Sequence, residues 1–106
     1  YERLILVWAS MADKDLAGTL LAVAPLAAEI IFTRPESERS ARPEALRDLL
    51  PEKLRNRIRI ACADSVLAAL DLAMASAGES DLICVAGSLY LVGQARKILR
   101  GELAEE

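Results

Sequence analysis

The sequence predicts an α/β fold, a Rossmann-like three-layer sandwich with a mainly parallel sheet and helices on both faces. Three observations predict it. Four short runs, Leu4-Ile5-Leu6-Val7-Trp8, Glu29-Ile30-Ile31-Phe32-Thr33, Ile58-Arg59-Ile60-Ala61-Cys62 and residues 81–86, are spaced along the 106-residue chain. The segments between them carry helical spacing of apolar residues, and strands alternating with helices of about 10–15 residues read as βαβ units. The first run is apolar without alternation, which marks a strand buried on both faces. Right-handed crossovers leave few topologies, and the order 3-2-1-4 is the one expected. In that order strands 1 and 4 are neighbours whose connections leave to opposite faces. Open α/β sheets bind ligands at such a switch point, beyond the carboxyl ends of the strands.

Each element has its local reason. After the first strand, residues 9–14 form a loop, and Asp15 caps a helix over 15–24 whose apolar side is Leu16, Leu20, Leu21 and Val23. Pro25 limits or bends that helix. After the second strand, residues 34–42 are polar and loop-like, and Pro43 suits the first position of a helix over 43–50. Residues 51–56 form a basic connector with room for a helical turn. Asp64 caps the next helix over 65–77, and Gly78 stops it. A last helix spans 89–99 and ends at Gly101, with a frayed tail over 102–106.

Composition narrows the function. The chain is 54% hydrophobic, with a net charge of −3 and no histidine. That supports one domain over 1–106 with a real core. It argues against a sequence-independent nucleic-acid surface, which needs a basic face. No apolar run approaches the roughly 20 residues of a membrane span, and no secretory pattern opens the chain. Imidazole catalysis is excluded. Cys62 and Cys84 are expected to be small buried hydrophobes in a reducing cytoplasm. No GxxxxGK[ST] motif occurs, so this chain supplies no Walker A loop.

Three segments carry candidate chemistry. In Ala86-Gly87-Ser88-Leu89-Tyr90-Leu91-Val92-Gly93 an apolar run stops at a Gly-Ser pair and a helix starts at once. The free N–H groups and dipole of that helix favour a carboxylate or phosphate, and Ser88 offers a hydroxyl. The plainer reading makes Ser88 only an N-cap. In Ser10-Met11-Ala12-Asp13-Lys14-Asp15, Asp13 is placed to accept hydrogen bonds from a ribose, or else is a turn residue or alternative cap. Lys14 is a mobile point charge for phosphate or carboxylate, or simply an exposed lysine. Asp13 and Asp15 as a pair suggest Mg²⁺, but Lys14 stands between them and no further ligand cluster follows. The loop over 33–42 holds Arg34, Arg39 and Arg42, suited to an anionic substrate or to a neighbouring domain, or else to solvated ion pairs with Glu36 and Glu38. Arg47, Lys53, Arg55, Arg57 and Arg59 read as solvated connector and strand-edge charge.

Met11-Ala12-Asp13-Lys14-Asp15, then Thr33-Arg34-Pro35 with Arg39, then Gly87-Ser88-Leu89-Tyr90-Leu91-Val92-Gly93, in that order and spacing, resemble the C-terminal domain of folylpolyglutamate synthases. That family includes bifunctional dihydrofolate synthases and belongs to the Mur ligase superfamily. The resemblance covers nearly the whole chain, and the Gly-Ser-Leu-Tyr-Leu segment is its most specific part. It implies an ATP-dependent ligase, working in the cytoplasm, that activates a folate γ-carboxylate or the dihydropteroate carboxyl group as an acyl phosphate. The amine of glutamate then attacks to give an amide. It implies that the P-loop, the Mg²⁺ ligands and most of the folate site lie in a larger N-terminal ATPase domain, which is this domain's partner. Carried over, Asp13 binds ATP, and Ser88 with Gly87 helps hold glutamate. Lys14, Asp15, Arg34, Arg39 and Tyr90 are interdomain or substrate contacts. The domain contributes no nucleophile and no metal ligand, so its share of catalysis is positioning and charge stabilisation.

Departures from the family pattern are also readable. Ala86 stands where threonine is frequent, Gln94 where an acid is common, and Glu38 and Ser40 flank Arg39 where proline and alanine are usual. Trp8 ends the first strand where a smaller residue is often seen. In relatives a strand and helix precede the strand that opens here. Their absence predicts an isolated, catalytically silent domain with a thinly covered sheet face and a dimer through that face or a sheet edge. Two further readings stay open: a stand-alone nucleotide- or anion-binding module, and the corresponding domain of a Mur-type peptidoglycan ligase. A phosphoryl-receiver domain is excluded, because its acidic pair and its later lysine are missing.

Overall fold

The computed structural model describes residues 1–11, 17–35 and 40–101. Its four strands are β1 (Leu4–Trp8), β2 (Glu29–Phe32), β3 (Arg59–Cys62) and β4 (Leu82–Ala86), and they form one parallel sheet in the order β3-β2-β1-β4. That is the predicted topology. β1 is central and buried at every position. Its register sets Leu6 between Ile30 and Cys84, and Trp8 between Phe32 and Ala86. Because side chains alternate along a strand, the sheet sorts them into two cores. Leu4, Leu6, Trp8, Ile30 and Phe32 face one side, and Ile5, Val7, Ala9 and Ile31 face the other.

The helices cover these two faces in a way that fixes the switch point. α1 (Ala17–Val23), α2 (Pro43–Arg47) and α3 (Glu52–Arg57) place Leu20, Leu46 and Leu54 on the first face. α4 (Val66–Ser76) and α5 (Leu89–Leu99) place Val66, Ala69, Leu70, Leu91 and Ala95 on the second. Full burial of each such leucine, isoleucine or valine is worth about 1.5–3 kcal/mol. α1 follows β1 and α5 follows β4, so two adjacent strands send their connections to opposite faces.

Local chemistry shifted several boundaries. Ser65, not Asp64, caps α4: its hydroxyl oxygen accepts from the Ala68 N–H at 3.1 Å. A hydroxyl one residue closer to the first turn reaches the third helical amide better than the preceding carboxylate does. Pro25 sits inside a 3₁₀ turn, Ala24–Leu26, that continues α1, so the proline tightens the helix end without breaking it. The helix from Pro43 ends at Arg47, three residues before the predicted limit. The basic connector is the helix α3, started by extended Pro51 and favoured by Glu52 at its head and Arg55 and Arg57 at its foot. Leu21, expected on the apolar side of α1, is 38% exposed. The predicted cap Asp15, its neighbour Leu16 and the tail over 102–106 lie outside the described residues. Gly101, with φ of 82°, ends α5 as expected.

Both cysteines are free and half-buried, not enclosed, because they occupy the two edge strands. Burial pushes the Cys62 thiol above its ordinary range. The far margin of the sheet is thinly covered. On β4, Leu82 is 45% exposed, and Cys84 and Ala86 are only partly buried against the first face.

Two polar clamps hold the amino-terminal end of the sheet, opposite the switch point. Arg3 donates from Nε (3.1 Å) and Nη2 (2.6 Å) to Asp81 Oδ2, and Nη2 also reaches the Ser76 carbonyl at 3.0 Å. The Gly78 N–H donates to the same carboxylate oxygen at 2.8 Å. The Arg3 bond, then the Gly78 amide, hold the Asp81 carboxyl below its usual range. Nearby, Glu29 is buried on β2 and accepts a hydrogen bond from the Ser76 hydroxyl at 2.5 Å.

Candidate functional site

Beyond Trp8 and Ala86, at the carboxyl ends of β1 and β4, the chain turns away on both sides. Gly87 makes the turn on the β4 side with φ of 103°, in the half of conformational space that L-residues avoid. A Cβ there would clash with the Ala9 carbonyl oxygen and lie 2.8 Å from Trp8 Cε2. Glycine is thus required twice, by the backbone angle and by the close approach to β1.

Ser88 follows with extended backbone and caps α5. Its hydroxyl oxygen accepts from the Tyr90 N–H at 3.2 Å and the Leu91 N–H at 3.4 Å. The residue is 5% exposed. The capping role is therefore what the geometry displays. Capping uses the lone pairs of the hydroxyl and leaves its proton free to donate. Tyr90, in the first turn of α5, is 61% exposed.

The loop after β1 is tied to the chain on both sides of the arginine loop. The Thr33 N–H donates to the Trp8 carbonyl at 2.9 Å, and the Ala41 N–H donates to the Ser10 carbonyl at 2.8 Å. Met11 and Ser40 form an antiparallel bridge. The structure thus brings together the start of the loop after β1, both ends of the arginine loop and the Gly87 turn. Arg34 is half-buried at the carboxyl end of β2. Asp13, Lys14, Asp15 and Arg39 lie outside the described residues. An open groove of about 470 Å³, lined by Ser40, Ala41, Arg42, Glu44, Ala45 and Asp48, adjoins the arginine loop on the α2 side.

Sequence reasoning passed over two polar residues here. Thr33 is fully buried, and its hydroxyl has no partner among the described residues. Ser10 is buried and accepts the Trp8 indole N–H at 2.8 Å. A signal for the second was present, since a strand-end tryptophan in a core needs an acceptor and a serine two residues on is within reach. Among the described residues, no group of histidine, cysteine, aspartate and glutamate side chains is placed to hold a metal ion, and no helix is long and apolar enough to cross a membrane.

Comparison with known proteins agrees with this arrangement. A family model described as Mur ligase, glutamate ligase domain, matches residues 1–89. No match is found among curated protein sequences. Among solved structures the chain is similar to E. coli FolC in complex with DHPP and ADP, at 29% identity and a TM-score of 0.82, over 95% of this chain and 23% of that one. It is 26% identical to the bifunctional folylpolyglutamate synthase/dihydrofolate synthase of Yersinia pestis complexed with AMPPNP and Mn ion, with a TM-score of 0.79, over 92% and 22% of the two chains. A folylpolyglutamate synthase of Mycobacterium tuberculosis, complexed with ADP and AMPPCP, is 25% identical with a TM-score of 0.74, over 95% and 24%. The chain therefore spans less than a quarter of the length of each of these proteins.

Proposed function

The chain belongs to the Mur ligase family, as a glutamate ligase domain, and on that premise we propose that it serves as the C-terminal domain of an ATP-dependent folate–glutamate ligase. The observation that carries this reading is the Gly87–Ser88 turn at the β1–β4 switch point, in a fold shared with folylpolyglutamate synthases. In the proposed reaction the acceptor carboxylate of a folate or dihydropteroate takes the terminal phosphoryl group of ATP. The amine of glutamate attacks the resulting acyl phosphate, and phosphate leaves as the amide forms. An N-terminal ATPase domain, the proposed partner, supplies the P-loop and holds Mg²⁺; the described residues offer no metal set of their own. The proposed setting is the cytoplasm.

Within that scheme the residues of this chain position and neutralise. The amino end of α5 presents a positive dipole end toward the switch point, which favours a glutamate carboxylate. Ser88 keeps a hydroxyl proton to donate while its oxygen caps the helix. Asp13 is assigned to the ribose side of ATP, and Gly87 lets the backbone approach the ligand. Lys14, Asp15, Arg34, Arg39 and Tyr90 are assigned to the interdomain cleft. Such groups act through orientation and charge stabilisation, with no covalent role.

The test is glutamate addition coupled to ATP hydrolysis, with a folate acceptor, in this chain and in the longer ligase proposed to carry it. Activity in the longer protein alone is expected. Stable, folded protein without activity in either would overturn the ligase reading in favour of a binding module. Activity with a peptidoglycan precursor in place of folate would move the assignment to the Mur-type branch. Ser88→Ala in the ligase is expected to weaken use of glutamate by about 1–3 kcal/mol. An unchanged KM and kcat for glutamate would remove Ser88 from the site.

A further inference from the structure

We propose that the Trp8 indole, held by Ser10, is the positioning element of this site: it sets the Gly87–Ser88 turn and joins that turn to the chain on both sides of the arginine loop. The proposal rests on the reading of Ser88 as a glutamate contact.

The ring is fixed on two sides. Its Nε1–H donates to Ser10 Oγ at 2.8 Å, in a setting where Trp8 is 2% exposed and Ser10 4% exposed. Its fused bond lies beneath the turn, with Cε2 at 2.8 Å and Cδ2 at 3.0 Å from the point where a Gly87 Cβ would sit. Any buried indole N–H needs an acceptor; here that acceptor also fixes the tilt of a ring packed directly against the Gly87 turn. The partner that orients the ring is itself tied onward. The Ser10 carbonyl accepts the Ala41 N–H, and the Trp8 carbonyl accepts the Thr33 N–H. Met11 bridges Ser40, and the Ser40 hydroxyl reaches the Pro35 carbonyl at 3.5 Å. One residue therefore touches all three segments that converge at the strand ends. Gly87 has no side chain to yield, so a tilt of the indole passes directly into the peptide that carries Ser88.

The test compares Ser10→Ala, which removes the acceptor and keeps the ring, with Ser10→Thr, which keeps a hydroxyl. Amide hydrogen exchange is read in the 106-residue chain. In Ser10→Ala, the amides of Tyr90 and Leu91, which bond to Ser88 and not to Ser10, are expected to exchange roughly tenfold faster, the effect of about one lost hydrogen bond. Ser10→Thr is expected to restore them, and the strand-centre amides of Leu6 and Ile31 are expected to stay within about twofold of the parent under local opening. Uniform acceleration at all amides, or none at Tyr90 and Leu91, overturns the proposal. In the longer ligase, Ser10→Ala is expected to raise the KM for glutamate about fivefold while kcat changes less than about twofold, the pattern of lost uniform binding. A ligase without glutamate activity in its parent form overturns the assigned function, while the exchange result still decides the coupling.

Discussion

Replacing Gly87 by alanine drives a methyl group into the Ala9 carbonyl oxygen and hard against the Trp8 ring. The first cost is conformational. With φ at 103°, an L-residue at this position is strained by about 1–2 kcal/mol. The second is steric, and the obstacle is backbone of a central strand plus a ring that Ser10 holds in place. Overpacking of that kind costs about 1–3 kcal/mol. Together they come to about 2–5 kcal/mol, a large part of the roughly 5–15 kcal/mol that holds a domain folded. The assay is urea unfolding at 25 °C, followed by far-UV circular dichroism and by the fluorescence of the single tryptophan. With a slope of about 1–3 kcal/mol per molar, the midpoint is expected to fall by at least about 0.7 M. Gly93→Ala is the control. Gly93 lies inside α5, and nothing stands within 4 Å of the position of its Cβ. The same chemical change there is expected to stabilise by about 0.5–1 kcal/mol, because the helix loses less entropy on folding. A Gly87→Ala midpoint within about 0.3 M of the parent, or shifts of the same sign at both glycines, would refute the reasoning.

Three further outcomes follow from other parts of the molecule. Ser76→Ala removes the hydroxyl that donates to buried Glu29, so unfolding in urea should show a loss of about 1–3 kcal/mol; an unshifted midpoint would mean that solvent satisfies the carboxylate. The Asp81 carboxyl is held below its usual range by Arg3 and then by the Gly78 amide. Its contribution to stability is therefore complete above the ordinary aspartate range and fades as pH falls through the depressed folded value. Arg3→Ala should flatten the acid limb of the Tm profile, and parallel profiles for parent and variant would show that the pair adds nothing. The exposed margin at Leu82, with Cys84 and Ala86 behind it, is expected to give a concentration-dependent dimer of the isolated chain. A monomer mass by light scattering at high concentration would count against it.

The legible parts of this fold are those set by short-range rules. The run from Leu4 to Trp8 has no polar alternation, which only a strand covered on both faces tolerates, and β1 is indeed central and fully buried. The crossover rule then left 3-2-1-4 as the favoured order, and the sheet adopts it. Less legible were properties that depend on what lies opposite. Leu21 fits the helical stripe, yet it stays 38% exposed. The cysteines carry a buried composition signal, but their strands fall at the sheet edges. The choice between Asp64 and Ser65 as a cap turns on a dihedral angle, and Ser65 has the extended backbone that the cap needs. At the site, Gly87 and Ser88 were visible as a strand-to-helix punctuation. The indole-to-serine bond is harder to read, because a sequence gives the size of Trp8 but not the direction of its N–H.

The two readings of Ser88 do not compete. A serine oxygen has two lone pairs, and here both face the amides of Tyr90 and Leu91. The hydroxyl proton is then driven to the side away from α5. The cap thus orients the donor instead of consuming it, and it holds that donor at a residue only 5% exposed. Under the proposed function, a glutamate carboxylate at this point would meet that donor together with the positive end of an 11-residue helix. Preorganisation of this kind lowers the ordering cost of binding. The same argument explains why glycine precedes the serine. Only a residue without Cβ lets the turn sink against Ala9 and Trp8, and that depth decides where the Ser88 hydroxyl stands relative to the end of β1.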